Sequence, residues 1–360
     1  MKKLTSEYIE RLTPYAPGKP IEELERELGL TGSIKLASNE NPIGPSPKGI
    51  AAIAGHLASL NRYPDGAAHY LKDAISKKFG RPMDEIILGN GSNELLDIIV
   101  RTFLLDGEES IFAEPSFVVY KMSTQAAGRK GVAVPLKDGR HDLAAMADRI
   151  DGNTKIIFIA NPNNPTGTMN TGAEMNEFMA RVPEDVLVVV DEAYYEYVTS
   201  PEYPDTFKYL RDGRNIIILR TFSKIYGLAG LRIGYGFAPP KLVDLMNRVR
   251  APFNTNSLAQ AAALAALSDD GHVRESVNVN EEGKKYLYGE MSQMGLDYLP
   301  TQANFIWIDL HREARGVYDA LLKSGVIVRP MGPMQIRVTV GLPQENERFI
   351  KALSEALQGA

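Results

Sequence analysis

The sequence predicts an α/β protein built on a mostly parallel sheet, and three observations lead there. Short Val- and Ile-rich runs recur through residues 86–238 without the apolar–polar alternation of a half-exposed strand. Segments of helical spacing separate several of them, the order that yields parallel strands joined by crossover helices. A glycine-rich turn, Gly89-Asn90-Gly91-Ser92-Asn93, leads from the first run into a helix, and such turns offer backbone N–H groups to anions.

Up to about residue 48, prolines and glycines interrupt the chain and only residues 21–28 hold helical spacing. Residues 1–48 are therefore expected to form an arm that lies across something other than itself, such as a second subunit. Residues 49–264 are read as a large domain. It has helices at 71–79 and 94–105 and strands at 86–88, 110–113, 132–135, 155–160, 186–190, 215–220 and 233–238. After about residue 265 the pattern changes. Helix 273–294, the stretch 296–310, helix 314–324, strands 326–330 and 335–340 and helix 344–358 describe a smaller α+β domain, 265–360.

Composition narrows the function. A chain of 360 residues has room for two or three domains or one large one and needs no covalent staples. It has no cysteine, which excludes disulfides, thiolate metal sites and cysteine nucleophiles. Its net charge of −5 argues against nucleic-acid binding, which wants a basic face. The longest uncharged stretch, 251–268, holds Pro252, Asn254, Asn256 and Gln260, too polar to span a membrane. The first residues carry an acid early and no apolar core, so a secretory signal is not indicated. A cytoplasmic protein with no metal and no membrane partner is expected.

Four segments at strand ends carry the candidate chemistry. Asp191 closes the run Val188-Val189-Val190, where α/β sheets place ligands. A helix-capping acid would look the same. A magnesium-holding carboxylate of a nucleotide hydrolase would need a G-x-x-x-x-G-K-[ST] loop, and no Gly-Lys here precedes Ser or Thr. The turn at 89–93 suits a phosphate, although an ordinary turn also explains it. Glu94 takes the last position of G-x-G-x-x-G, against a dinucleotide. Lys224 follows Thr221 and Ser223 and precedes Arg232. Most lysines are solvated, yet hydroxyls and a guanidinium around an amine suit a phosphorylated ligand bonded to that amine. Asn161-Pro162-Asn163-Asn164-Pro165-Thr166-Gly167 ends another strand, and its prolines would make it a rigid turn. Each segment has an ordinary structural explanation. Together they describe one ligand: a phosphate for the turn, Thr221, Ser223 and Arg232, an aldehyde for Lys224, a ring nitrogen for Asp191, and a phenolic oxygen for Asn164 and Tyr194. Pyridoxal phosphate has all four.

The ordered set GNGSNE, EPSF, NNPTG, DEAYYEY, TFSK and GLRIGY resembles the fold-type-I pyridoxal-phosphate-dependent aminotransferases of class II. Within that family, TPYAPGKPIEELERELG, ASNENPIGPSP, NRYPDG and IRVTVG are similar to the histidinol-phosphate group, so that the resemblance covers about residues 13–341. It implies pyridoxal 5'-phosphate as cofactor. It implies L-histidinol phosphate and 2-oxoglutarate as substrates, imidazole-acetol phosphate and L-glutamate as products, and a place in histidine biosynthesis. Lys224 would bond the cofactor aldehyde and carry the substrate Cα proton, and Asp191 would pair with the ring nitrogen. Asn164 and Tyr194 would bond the ring oxygen. Phe117 would stack on the ring, where many relatives carry Tyr or Trp. The backbone at Ser92 and Asn93, with Thr221, Ser223, Arg232 and Tyr63 of the partner subunit, would hold the cofactor phosphate. Arg329, Arg337 and Tyr15 of the partner subunit would take the substrate's phosphate or carboxylate. An obligate homodimer is implied, together with cis peptide bonds before Pro115 and Pro165. An aromatic amino-acid aminotransferase and a phosphothreonine decarboxylase would share the scaffold. A regulator of this family would carry an added DNA-binding module, and about 48 irregular residues leave no room for one.

Overall fold

The computed structural model describes residues 3–358. Its strands are β1 (Ile34–Lys35), β2 (Ile86–Gly89), β3 (Glu109–Glu114), β4 (Lys130–Pro135), β5 (Thr154–Ala160), β6 (Leu187–Asp191), β7 (Ile216–Thr221), β8 (Gly234–Phe237), β9 (Asp297–Leu299), β10 (Phe305–Asp309), β11 (Val326–Ile327), β12 (Arg329–Pro330) and β13 (Gln335–Thr339). Seven of them form the central sheet, in the order β2-β8-β7-β6-β5-β3-β4. Neighbours run parallel, except that β8 is antiparallel to both β2 and β7. The register sets Asp191 level with Ala160 of β5 and Leu219 of β7. The carboxyl ends of three adjacent strands therefore open at one place, the position where such sheets hold ligands.

The expected apolar runs land on these strands because each is covered on both faces. Ile157, Ile159, Val188, Val190, Ile216 and Ile218 share one core with Ala259, Ala262 and Ala263 of the helix Ser257–Leu267. Ile87, Phe158, Val189, Ile217 and Leu219 share the opposite core with Leu95, Leu96, Ile98 and Ile99 of the helix Ser92–Phe103. Those helical positions recur at three- and four-residue spacing, the stripe that faces a sheet. The run at 132–135 behaves differently. β4 is an edge strand, and Val134 is its only buried residue.

A second, antiparallel sheet follows the order β12-β13-β10-β9. Its core holds Ile306, Ile308, Val338, Phe349 and Leu353. The stretch 296–310 is split here into β9 and β10, with Pro300 and Gln302 between them. The helix Asp270–Gln293 touches both cores, through Val273 and Val277 at one end and Leu287 and Met291 at the other.

The N-terminal arm lies on its own chain. β1 pairs in parallel with β11. Leu24, Ala37 and Ile327 close a small core beneath the helix Ile21–Leu28. Gln125 Nε2 donates to the Tyr8 carbonyl at 3.3 Å. The Glu114–Pro115 bond is cis as expected, but the second cis bond precedes Pro162 and not Pro165. The chain turns at the strand end itself, where Asn161 is tied to Asn170 by bonds of 3.0 and 2.8 Å. Asn164 lies three residues further on. Among the described residues, no helix is long and apolar enough to cross a membrane, and no group of three or more His, Asp or Glu could hold a metal.

Candidate active site

The ends of β5, β6 and β7 open into a cavity of about 220 Å³, closed above by the second sheet and the arm. Tyr15, Ser92, Asn93, Phe117, Asn164, Asp191, Tyr194, Thr221, Ser223, Lys224, Arg232, Arg329 and Arg337 all line it. Of the expected site residues, only Tyr63 stands elsewhere. It is 83% exposed, stacked on Phe253 with ring centres 4.8 Å apart. Tyr15, expected on the partner's arm, lines the cavity of its own chain. Arg329 Nη2 donates to the Ala16 carbonyl at 2.8 Å, and its guanidinium carbon stands 5.5 Å from the Tyr15 ring centre.

Asp191 is buried at the centre of the floor. It accepts from Tyr120 Oη at 2.9 Å and from the Ala193 N–H at 3.2 Å. Burial pushes its carboxyl up to about 6, and those two donors hold it back from going further. Lys224 Nζ donates to the Ser38 carbonyl at 3.1 Å and lies 5.7 Å from the Tyr194 ring centre. Burial first, and Arg337 next, bring its amine down to about 8, so an appreciable fraction is neutral near neutral pH. Burial also pushes the Tyr194 phenol up to about 12, so it keeps its proton. Arg337 lies in the middle of β13, opposite Arg329 of β12. Its Nη1 donates to Asn164 Oδ1 at 2.6 Å and its Nη2 to the Ala37 carbonyl at 2.7 Å. Its Nε is buried without a partner.

Residues 31–353 match the family described as aminotransferase class I and II. This chain belongs to that family. A histidinol-phosphate aminotransferase of Moorella thermoacetica is 50% identical over 98% of this chain and 92% of that relative. Histidinol-phosphate aminotransferase 1 of Nitrosococcus oceani is 51% identical over 99% of this chain and 97% of that one. The solved histidinol-phosphate aminotransferase of Sinorhizobium meliloti, in complex with pyridoxal-5'-phosphate, is 28% identical with a TM-score of 0.92, over 100% of this chain and 99% of that one.

The cavity of this aminotransferase fits the same cofactor on grounds of its own. The helix Ser92–Phe103 begins without a side-chain cap, leaving first-turn N–H groups for an external acceptor. A Cβ on Gly91 would stand 2.5 Å from Arg232 Nη2, and one on Gly234 would stand 2.6 Å from the Ser92 nitrogen. Both glycines thus hold a guanidinium and a helix N-terminus close together, as a phosphate needs. At the other end Asp191 suits a protonated ring nitrogen, and Arg337 Nε is an unused donor.

Sequence reasoning assigned no role to Ser38, Asn39 or Tyr120, which line the same cavity. Ser38 and Asn39 lie in ASNENP, matched only as a pattern. Tyr120 follows Phe117 by three residues, one helical turn, which was the available signal. Glu192 neighbours Asp191 but belongs to a buried ion pair, 2.8 Å from Arg220 Nη2, and accepts from the Thr206 hydroxyl at 2.8 Å.

Proposed function

We propose that this aminotransferase moves the amino group of L-histidinol phosphate to 2-oxoglutarate, giving imidazole-acetol phosphate and L-glutamate, as a step of histidine biosynthesis with pyridoxal 5'-phosphate on Lys224. One observation carries this reading. Arg329 and Arg337, cross-strand neighbours, face the cavity that holds Lys224, while Arg232 stands beside the uncapped helix of the same cavity. This arrangement supports an anion site for each of the two phosphates. Relatives that are 50% and 51% identical over nearly the whole chain support it.

When bound, the cofactor supplies an aldehyde that takes up the amino group and a protonated ring that accepts the electron pair released at Cα. The chain's residues do the rest. Asp191, ionised through its bonds from Tyr120 and Ala193, holds the proton on the ring nitrogen. Asn164 and Tyr194 would bond the ring oxygen, and Phe117 would cover one ring face. Ser92 and Asn93 by their backbone, with Thr221, Ser223 and Arg232, bind the cofactor phosphate. Lys224 Nζ takes the Cα proton, its basicity lowered by burial and Arg337 so that it is free to accept one. Arg337 takes the carboxylate of glutamate or, with Arg329 and Tyr15, the phosphate of the other donor. A guanidinium fork serves either group.

The working unit we propose is a cytoplasmic homodimer of chains that each comprise an arm (1–48), a cofactor-binding unit (49–264) and a smaller unit (265–360). Two features support the dimer: Tyr63 is exposed and displaced from its own cavity, and it shares an exposed groove with Tyr70 and Leu264. The deciding assay gives the cofactor-loaded protein histidinol phosphate and 2-oxoglutarate, with phenylalanine in parallel. Faster turnover of phenylalanine would move the assignment to the aromatic aminotransferases. Loss of carboxylate from O-phosphothreonine without 2-oxoglutarate would make it a decarboxylase.

A further inference from the structure

Asn39 is buried at 1% exposure beside the cavity and holds a φ of 54°, a left-handed conformation that asparagine tolerates better than most residues. All its polar groups are engaged. The backbone N–H donates to Thr339 Oγ1 at 2.9 Å, and the carbonyl accepts from Asn304 Nδ2 at 3.1 Å. The Thr339 hydroxyl donates in return to Asn39 Oδ1 at 3.3 Å. With its oxygen turned to that hydroxyl, the side-chain amide presents nitrogen on its other side, and Nδ2 donates to Tyr194 Oη at 2.9 Å.

That direction matters. A phenol has one proton and accepts on its lone pairs. Because Asn39 can only donate, the Tyr194 proton is not spent on it, and among the described residues that proton has no acceptor. Tyr194 lines the cavity, so the proton is available to a ligand there. An acceptor in place of the amide nitrogen would turn it away.

We propose that Asn39 is a positioning residue, which turns the Tyr194 hydroxyl proton onto the ring oxygen of the bound cofactor. The inference rests on the cofactor reading above. Thr339 shares β13 with Arg337 two residues away, so the strand that carries the substrate arginine also fixes the amide.

The consequence is a shifted titration. A donor on the ring oxygen weakens that oxygen's hold on the proton at the Lys224 nitrogen, so the loaded protein loses this proton at lower pH. The charged and titratable groups facing Tyr194 are Arg337 from β13, Asp191 from β6, Tyr15 from the arm and Lys224 beyond β7. Lys224 is also influenced by Glu40 and Arg232. None of these changes in the variants below.

The test follows the visible absorbance of the cofactor-loaded chain against pH in wild type, Asn39→Gly, Tyr194→Phe and the double variant. Glycine keeps the backbone conformation and removes the amide. Asn39→Gly should raise the midpoint by roughly half a unit to one unit, the value of a single hydrogen bond. Tyr194→Phe should raise it at least as far, and the double variant no further than Tyr194→Phe. Thr339→Val, which frees the amide without touching Tyr194, should shift the midpoint in the same direction by less. It decides the matter if Asn39→Gly does not fold. An unmoved midpoint in both variants, or an Asn39→Gly shift that persists in full without the Tyr194 hydroxyl, would overturn the inference alone. A wild-type chain with no pH-dependent visible band would overturn the proposed function with it.

Discussion

Replacing Arg329 by alanine should separate the two donors. Arg329 is partly exposed, spends one N–H on the Ala16 carbonyl at 2.8 Å, and stands in register with Arg337. A hydrogen bond to a charged phosphate is worth about 1.5–3 kcal/mol. Partial exposure favours the lower half, about 1.5–2 kcal/mol, or a ten- to thirtyfold loss in rate constant over dissociation constant. Glutamate brings a carboxylate where histidinol phosphate brings a phosphate. Arg337, anchored to Asn164 and Ala37 with Nε still unused, meets that carboxylate alone, so glutamate should lose less than about threefold. The assay is single-turnover: each donor is mixed with the loaded enzyme and the decay of the visible band is followed. Loosening of the arm through the lost Ala16 bond would slow both donors alike and cancels in their ratio. Arg329→Lys keeps the charge without the fork and should recover part of the phosphate donor's loss. Equal losses for the two donors in Arg329→Ala would refute the reasoning.

Lys224→Ala should abolish both the visible band and transamination, and borohydride should then reduce no adduct into the chain; an adduct at another lysine would reassign the amine. Lys224 should also shape stability of the cofactor-free chain. Its folded value, about 8, lies below the ordinary 10.5. Between those limits the unfolded chain binds more protons, so the Lys224 penalty present at lower pH is relieved as pH rises from about 8 to 10.5. Lys224→Met should remove that rise in urea unfolding, a difference on the order of 2–3 kcal/mol across the window; parallel wild-type and variant curves would contradict the burial argument. Sedimentation at micromolar concentration should find a dimer, and Tyr63→Ala should weaken cofactor binding without disturbing the chain's own cavity. A fully active monomer would end the shared-site reading.

Much of the site was legible because its residues sit where strands end. Asp191, Lys224 and Asn164 each lie at or just past an apolar run that forms a covered strand, and Thr221, Ser223 and Arg232 lie within eight residues of Lys224. Local spacing also found the helix Ile21–Leu28 to the residue. Spacing could not show what Asn39 touches. Its partners are Tyr194, 155 residues away, and Thr339, 300 away. Tyr120 was hidden for the same reason, since it reads as one more apolar position on a helix until its hydroxyl is seen on Asp191.

The sequence by itself determined the strands of the central sheet, the order of the chemistry along the chain and the family, because covered strands and strand-end motifs are local patterns. Only the tertiary structure decided that β8 runs against its neighbours, since an apolar run reads the same in either direction. It likewise placed Tyr15 at the cavity of its own chain and set Arg337 against Asn164. These depend on the path of the arm and the register of β13, which are settled by long-range packing.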